Sequence, residues 1–186
     1  MLLRFSPGDS SRSARIFVSV PRSALSSGKY TFDFEAMQFR NAVGDLVPFE
    51  QVQARTMASI GRARARLGMT LGDDTLARLD VNGRSLLGRN SGAVEGGTNV
   101  TLRPLNAQTR THGEGEVFQR FFDTGWEAEE GVLWVDNGFC GSCGRSGGVG
   151  SLLRATGMKR VLAITPDGTF MITAARPSTP IPITIR

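Results

Sequence analysis

Four residues of this 186-residue chain have types and spacing that could do chemistry. His112 is the single histidine, Cys140 and Cys143 are the two cysteines, and Glu114 stands two residues beyond the histidine. A Cys-x-x-Cys pair alone is open to three readings: a zinc site, thiol redox chemistry or a strained disulfide. Two cysteines in a chain this long do not make a disulfide scaffold. The redox reading expects a βαβ pattern ahead of the pair, which the sequence lacks, and it leaves His-x-Glu unexplained. One imidazole and two thiolates supply three zinc ligands and leave a fourth position open, which is the catalytic pattern. A structural site needs a fourth protein ligand, and no further Cys or His exists to supply it; an Asp is the less common substitute. Zinc in such a site lowers the pKa of a bound water from ~15.7 toward ~7. Glu114 is close enough in sequence to reach that water while facing a substrate, as a proton shuttle should.

The surrounding elements must bring these four together. Residues 111–122 carry Val117, Phe118, Phe121 and Phe122 at helical spacing, ended by Thr124-Gly125. Residues 131–136 form a short apolar run between breakers and read as a buried strand. Residues 140–156 open in a glycine-rich loop and continue as a helix through Val149, Leu152, Leu153 and Ala155, with Gly157 as its cap. A strand between two helices lets both helix N-termini project beyond one sheet, so His112, Cys140 and Cys143 can converge. Thiolates at a helix N-terminus gain from its free amides and macrodipole.

Around this unit, residues 48–67 read as a helix with Phe49, Val52, Met57, Ile60 and Leu67 inward, Pro48 at its start and Gly68 beyond its end. Arg62, Arg64 and Arg66 suit its C-terminal turns. Residues 76–81 and 84–88 flank Asn82-Gly83, a strong hairpin signal. A flexible stretch with Gly92, Gly96 and Gly97 then leads to an extended piece at 100–102. Runs at 160–165 and 169–174 are joined by Pro166-Asp167-Gly168 and read as a second hairpin. Before residue 48 the chain reads as β-rich, with strands at 14–20 and 29–34; from Pro177 it reads as an irregular tail or edge segment. The expected division is a β-rich extension of unassigned role at 1–47 and a catalytic domain at 48–186. The expected class is α/β, with helices packed on a mixed sheet of about five strands and an antiparallel C-terminal hairpin.

Hydrophobic residues make up 40% and charged residues 21%, enough to bury a core and too apolar for a disordered tail. No apolar run approaches the ~18 residues of a membrane span, and no signal-peptide h-region is present. The chain therefore reads as a soluble globular protein, or a soluble piece of a longer one. Its net charge of +5 lies in the first third, where ten Lys+Arg face five Asp+Glu over residues 1–70. Twenty of the 22 basic residues are arginine, whose planar forks suit phosphate; a solvated face with an arginine-rich coding bias is the competing explanation. Arg62, Arg64, Arg66, Arg89, Arg103 and Arg110 are candidates to track a nucleic-acid backbone. Arg110 is favoured by its place two residues before His112, and the others read as solvated surface. Gly147-Gly148-Val149-Gly150 lacks the Gly-Lys-Ser/Thr ending of a phosphate loop and reads as a turn into the helix, with Arg145 near enough to meet a phosphate. Among aromatics able to stack on a base, Trp134 reads as core, Trp126 as either, and Phe139 as the pocket residue because it abuts Cys140.

His112-Gly113-Glu114 followed, after twenty-five further residues, by Cys140-Gly-Ser-Cys143 resembles the zinc-dependent nucleobase deaminases. The element order fits that core from about residue 48 to 175, and the turn at 166–168, which makes the last two core strands antiparallel, resembles the branch rich in bacterial toxin deaminases. The stretch NAQTRTHGEGEVFQRF with CGSCGRSGGVGSLLRATG is similar to bacterial polymorphic-toxin DNA cytidine deaminases of the single-strand-specific kind. That resemblance implies a cytidine deaminase-like three-layer α/β sandwich and Zn2+ held by His112, Cys140 and Cys143. It makes Glu114 the general acid/base. The Gly113 amide would face the base carbonyl, the Cys140 amide would help hold the activated water, and Asn106 would bind sugar or phosphate. Phe139 and Arg110 complete the expected substrate-binding set. It further implies conversion of cytosine to uracil in single-stranded DNA by the secreted toxin domain of an interbacterial effector acting in the recipient cytoplasm. A cognate immunity protein and a monomeric state are expected, with no membrane partner. Deamination of RNA or free nucleosides, and a non-catalytic zinc module that binds nucleic acid, are the alternatives. The sequence departs from the family pattern at Phe139, where proline is usual, and at Gly113, where alanine or valine is common.

Overall fold

The computed structural model describes residues 30–70, 74–90, 100–103 and 105–185. The expected strand at 14–20 and the glycine-bearing stretch at 91–99 lie outside these residues. The described chain opens with a three-stranded antiparallel meander of β1 (Thr31–Asp33), β2 (Gln38–Arg40) and β3 (Leu46–Val47). Short polar side chains make its turns: Asp33 Oδ1 accepts the amides of Glu35 and Ala36, and Asn41 Oδ1 accepts those of Val43 and Asp45. Of these three strands β1 falls within the run expected at 29–34, and β2 and β3 lie outside the expected strands.

Helix α1 (Phe49–Arg66) begins after Pro48, whose carbonyl takes the amides of Gln51 and Val52. It buries Val52, Thr56, Ser59, Ile60, Ala63 and Arg64, one stripe at steps of three and four. Asn82 and Gly83 then turn the chain at φ 49° and 71°, which matches the twist of the strands they join, β4 (Leu76–Val81) and β5 (Arg84–Arg89). A short helix the sequence does not announce, α2 (Ala107–Thr111), precedes the helix expected at 111–122, which is α3 (Gly113–Asp123), with His112 extended between them at φ −88° and ψ 160°. Next come β6 (Glu130–Val135), α4 (Gly148–Thr156), β7 (Arg160–Thr165), β8 (Gly168–Thr173) and an edge strand β9 (Ile181–Pro182). The sheet is therefore mixed and six-stranded, ordered β5-β4-β6-β7-β8-β9, with β6 and β7 parallel and the other pairs antiparallel.

Both faces of the central strands are covered, which makes three layers. Alternate residues Leu133, Val135, Val161 and Ala163 meet Val117, Phe118 and Phe121 of α3 and Val149, Leu152 and Leu153 of α4. Their neighbours Val132, Trp134, Leu162 and Ile164 meet Val52, Ile60 and Ala63 of α1 together with Phe34 and Phe39 of the meander. Each of the larger aliphatic and phenylalanine side chains here stabilises the fold by roughly 1.5–3 kcal/mol when fully buried. Trp134 is core, as expected, with its ring nitrogen donating to Asp80 at 2.9 Å. Among the described residues no helix is long and apolar enough to cross a membrane.

Candidate metal centre

Close backbone contact sets the position of His112 and Glu114. Helix α3 lies on the β4–β5 hairpin, and glycines at the crossing leave the space. A Cβ at Gly113 would fall 2.7 Å from Thr75 O and 3.0 Å from Gly88 O. That explains glycine where the resemblance leads one to expect alanine or valine. Glu116 ties the same helix down by accepting the Arg89 amide at 2.6 Å and pairing with Arg120.

His112 is both the C-cap of α2 and the N-cap of α3, so its ring leaves the corner between them. Its Nδ1 lies 3.2 Å from Cys143 Sγ and 3.5 Å from Cys140 Sγ. The three ligand atoms all fall within 4.8 Å of one another and could hold a metal ion. Tetrahedral zinc, with bonds of about 2.1 Å to nitrogen and 2.3 Å to sulfur, sets N and S about 3.6 Å apart. Cys143 is buried while His112 and Cys140 are half-exposed, so the centre is reached from one side.

The cysteines do not start a helix. Residues 141–146 are turns, and α4 begins only at Gly148, after Gly147 takes a left-handed φ of 77°. What holds the thiols is the turn itself: Gly144 N–H donates to Cys140 O at 3.1 Å, and Cys143 N–H points to Cys140 Sγ at 3.4 Å. Val149 N–H, in the first turn of α4, donates to Cys143 O at 3.0 Å. The glycine run thus acts through its conformation and not as a phosphate cradle.

Glu114 is 2% exposed, and its Oε2 is buried with no hydrogen-bond partner among the described residues. Burial raises its carboxyl above the ordinary 4.5, and the charge of Asp136 adds to this; its own amide, the His112 cation and the Cys143 thiol act the other way. Burial likewise pushes the Cys143 thiol up, helped by the negative charges of Glu114 and Cys140. Glu114 and the two thiols set three acidic groups around one imidazole, two of them buried. A divalent metal favours the thiolates outright, and two sulfurs with one imidazole suit zinc. The residues present therefore fit the group.

The remaining expected residues sit around this centre with partners of their own. The Gly113 amide donates to Asn90 Oδ1 at 3.0 Å, where the sequence reading has it facing a base carbonyl. Asn106 is exposed; its Oδ1 caps α2 through the Thr109 amide at 2.7 Å, and its Nδ2 reaches Ser142 O at 3.4 Å. Arg110 is half-buried, with its Nε enclosed and without a hydrogen-bond partner among the described residues. Phe139 is half-buried against Phe170, ring centres 6.2 Å apart. Trp126 lies under the Arg84 guanidinium at 4.6 Å. Arg62, Arg66 and Arg103 are exposed.

Arg64 is a correction: it is neither solvated nor able to follow a nucleic-acid backbone. Its guanidinium is buried against Asp136, with 2.8 and 2.5 Å bonds to Oδ2, and also donates to Thr70 O and Asp74 O. Sequence reasoning also passed over Asn90, Gln108, Thr109 and Ser142. Asn90 follows a strand directly before a glycine-rich stretch, which was its one signal.

Neither a curated protein nor a solved structure matches this chain. The model of one family, the MafB19-like deaminases, matches residues 53–175. That span takes in the sheet from β4 to β8, both helices beside His112 and all three ligand atoms. On this match the chain belongs to the MafB19-like deaminase family.

Proposed function

We propose that the protein is a zinc-dependent hydrolase that converts cytosine to uracil in DNA, preferring single strands, and that it serves as the toxin domain of an interbacterial effector. The observation that carries this reading is the buried Glu114 carboxyl, one oxygen of which has no hydrogen-bond partner among the described residues, beside His112, Cys140 and Cys143. A proton carrier and a Lewis-acid site side by side are what hydrolysis of an exocyclic amine requires.

When bound, zinc supplies Lewis-acid activation of a water molecule, so that a nucleophile exists at neutral pH. Glu114 accepts the proton that this water loses as its oxygen bonds to C4 of the base. The same carboxyl delivers that proton to N3, then takes the proton of the new C4 hydroxyl and passes it to the amine, so that the C4–N bond breaks, the C4 carbonyl forms and ammonia leaves. Burial favours the protonated carboxyl, which suits a group that must give the proton back. Phe139 offers a ring on which the base can stack, and Arg110, Arg103 and Arg145 offer guanidinium groups to the phosphates. Asn106 reaches the sugar or phosphate next to the target. A base within a duplex must first be extruded, whereas a single strand avoids most of that cost. An immunity protein able to close this pocket is the partner expected in the producing cell, and the recipient cytoplasm is the site of action.

The test incubates protein and zinc with a cytosine-containing DNA single strand, its duplex, the RNA counterpart and free cytidine, reading uracil by mass. Uracil in the DNA single strand, with Glu114→Ala inactive yet still metal-loaded, is the expected result. Product from cytidine alone, with little dependence on salt, would replace the polymer substrate with a small molecule.

A further inference from the structure

Helix α2 carries a device that the ligand set does not explain. Thr109 is 0% exposed, at the junction of three elements. A Cβ at Gly115 of α3 would collide with its carbonyl oxygen, and a Cβ at Gly148 of α4 would collide with its hydroxyl. Two glycines thus bring backbone up to this one threonine. Its Oγ1 lies 3.9 Å from Cys143 Sγ, and among the described residues that sulfur is the partner the hydroxyl has. The rest of α2 grips the same turn: Gln108 Oε1 accepts from the Ser142 hydroxyl, and Asn106 Nδ2 reaches Ser142 O. A five-residue helix therefore brackets the loop that carries the buried thiol.

We propose that Thr109 is a positioning residue of the metal centre, its hydroxyl donating a hydrogen bond to the Cys143 sulfur and holding that ligand in place. A metal-bound thiolate has no proton to give, so within this pair the hydroxyl must be the donor. Neighbours that orient a ligand in this way carry about 10–100-fold in metal affinity. The proposal rests on the reading of His112, Cys140 and Cys143 as a zinc site.

The test compares Thr109→Val, which keeps the shape and loses the hydroxyl, with Thr109→Ser, which keeps the hydroxyl and loses the methyl. Zinc affinity is read by chelator competition. The sulfur-to-metal charge-transfer band is read after cobalt substitution. The valine variant is expected to bind zinc about 10–100-fold more weakly, with its band moved to lower energy, while the serine variant stays near wild type in both. Wild-type affinity in the valine variant overturns the proposal, and so does a serine variant as weak as valine, since packing would then be the cause. If the valine variant does not fold, alanine replaces it, and equal affinities for alanine and serine overturn the proposal. A wild-type protein that takes up no zinc removes the metal reading and this proposal together; zinc in wild type and undiminished in the valine variant removes this proposal alone.

Discussion

Asp136→Asn is the perturbation whose cost can be worked most closely from the structure. Arg64 and Asp136 come from α1 and the end of β6, 72 residues apart, and their side chains are 8% and 10% exposed. One carboxylate oxygen takes two guanidinium N–H groups, and the other takes the Leu76 amide at 2.8 Å. Asparagine keeps the shape but has one acceptor oxygen. Its NH2 must face either Leu76 N–H or Arg64, so a donor meets a donor in both orientations. It also removes the charge that compensates a buried cation. Breaking a buried pair on one side costs about 3–5 kcal/mol. At roughly 2–4 °C per kcal/mol for a chain of this size, the melting temperature falls by about 6–20 °C. Arg64→Met should cost at least as much, because it strands the buried Asp136 carboxylate and removes the bond to Thr70 O, while Asp74 O keeps the Asn137 Nδ2 donor at 3.2 Å. Denaturant titration of the three proteins, with constant slopes, gives the values. A loss below about 0.5 kcal/mol for Asp136→Asn, the scale of an exposed pair, would refute the reasoning, because the pair would then be solvated.

Three further outcomes follow from the same geometry. In metal-free protein, Glu114→Gln should raise stability relative to wild type, and by more as pH rises. The folded carboxyl releases its proton above the ordinary 4.5, so the unfolded chain binds fewer protons above that pH and wild-type stability drops until the folded carboxyl itself ionises. Melting curves from about pH 4 to about pH 8 check it, and a pH-independent difference would contradict it. Gly115→Ala should destabilise by about 1–3 kcal/mol or more and loosen zinc, because its methyl meets the rigid Thr109 carbonyl at the corner beside His112. Arg110→Ala should weaken binding of a DNA single strand and shallow its salt slope by about 0.7, one phosphate contact fewer; an unchanged slope would take Arg110 off the phosphate path.

The parts of the fold that could be read in advance were those whose cause is local. Asn82-Gly83 and Pro166-Asp167-Gly168 force their turns, and the apolar runs of β6 and β7 announce strands buried on both faces. The ligand set was legible because the relevant residue types are scarce. What escaped depends on partners distant in sequence. Helix α2 has too few residues to show a period, and its threonine gains meaning only when Cys143 arrives 34 positions later. Arg64 looks like any arginine near a helix end until Asp136 meets it. The helix expected to start at the cysteines starts after them because Gly147 takes a left-handed conformation, and glycine permits that without announcing it.

The central claim is that this pocket hydrolyses an exocyclic amine, with Glu114 carrying the proton. The most direct measurement incubates a cytosine-containing DNA single strand with zinc-loaded wild type and Glu114→Gln in water enriched in heavy oxygen, followed by mass analysis of the strand. The account predicts uracil bearing one heavy oxygen from wild type, and unaltered cytosine from a variant that retains its zinc. Heavy uracil formed at an undiminished rate by the variant, or no altered base from zinc-loaded wild type, would contradict it.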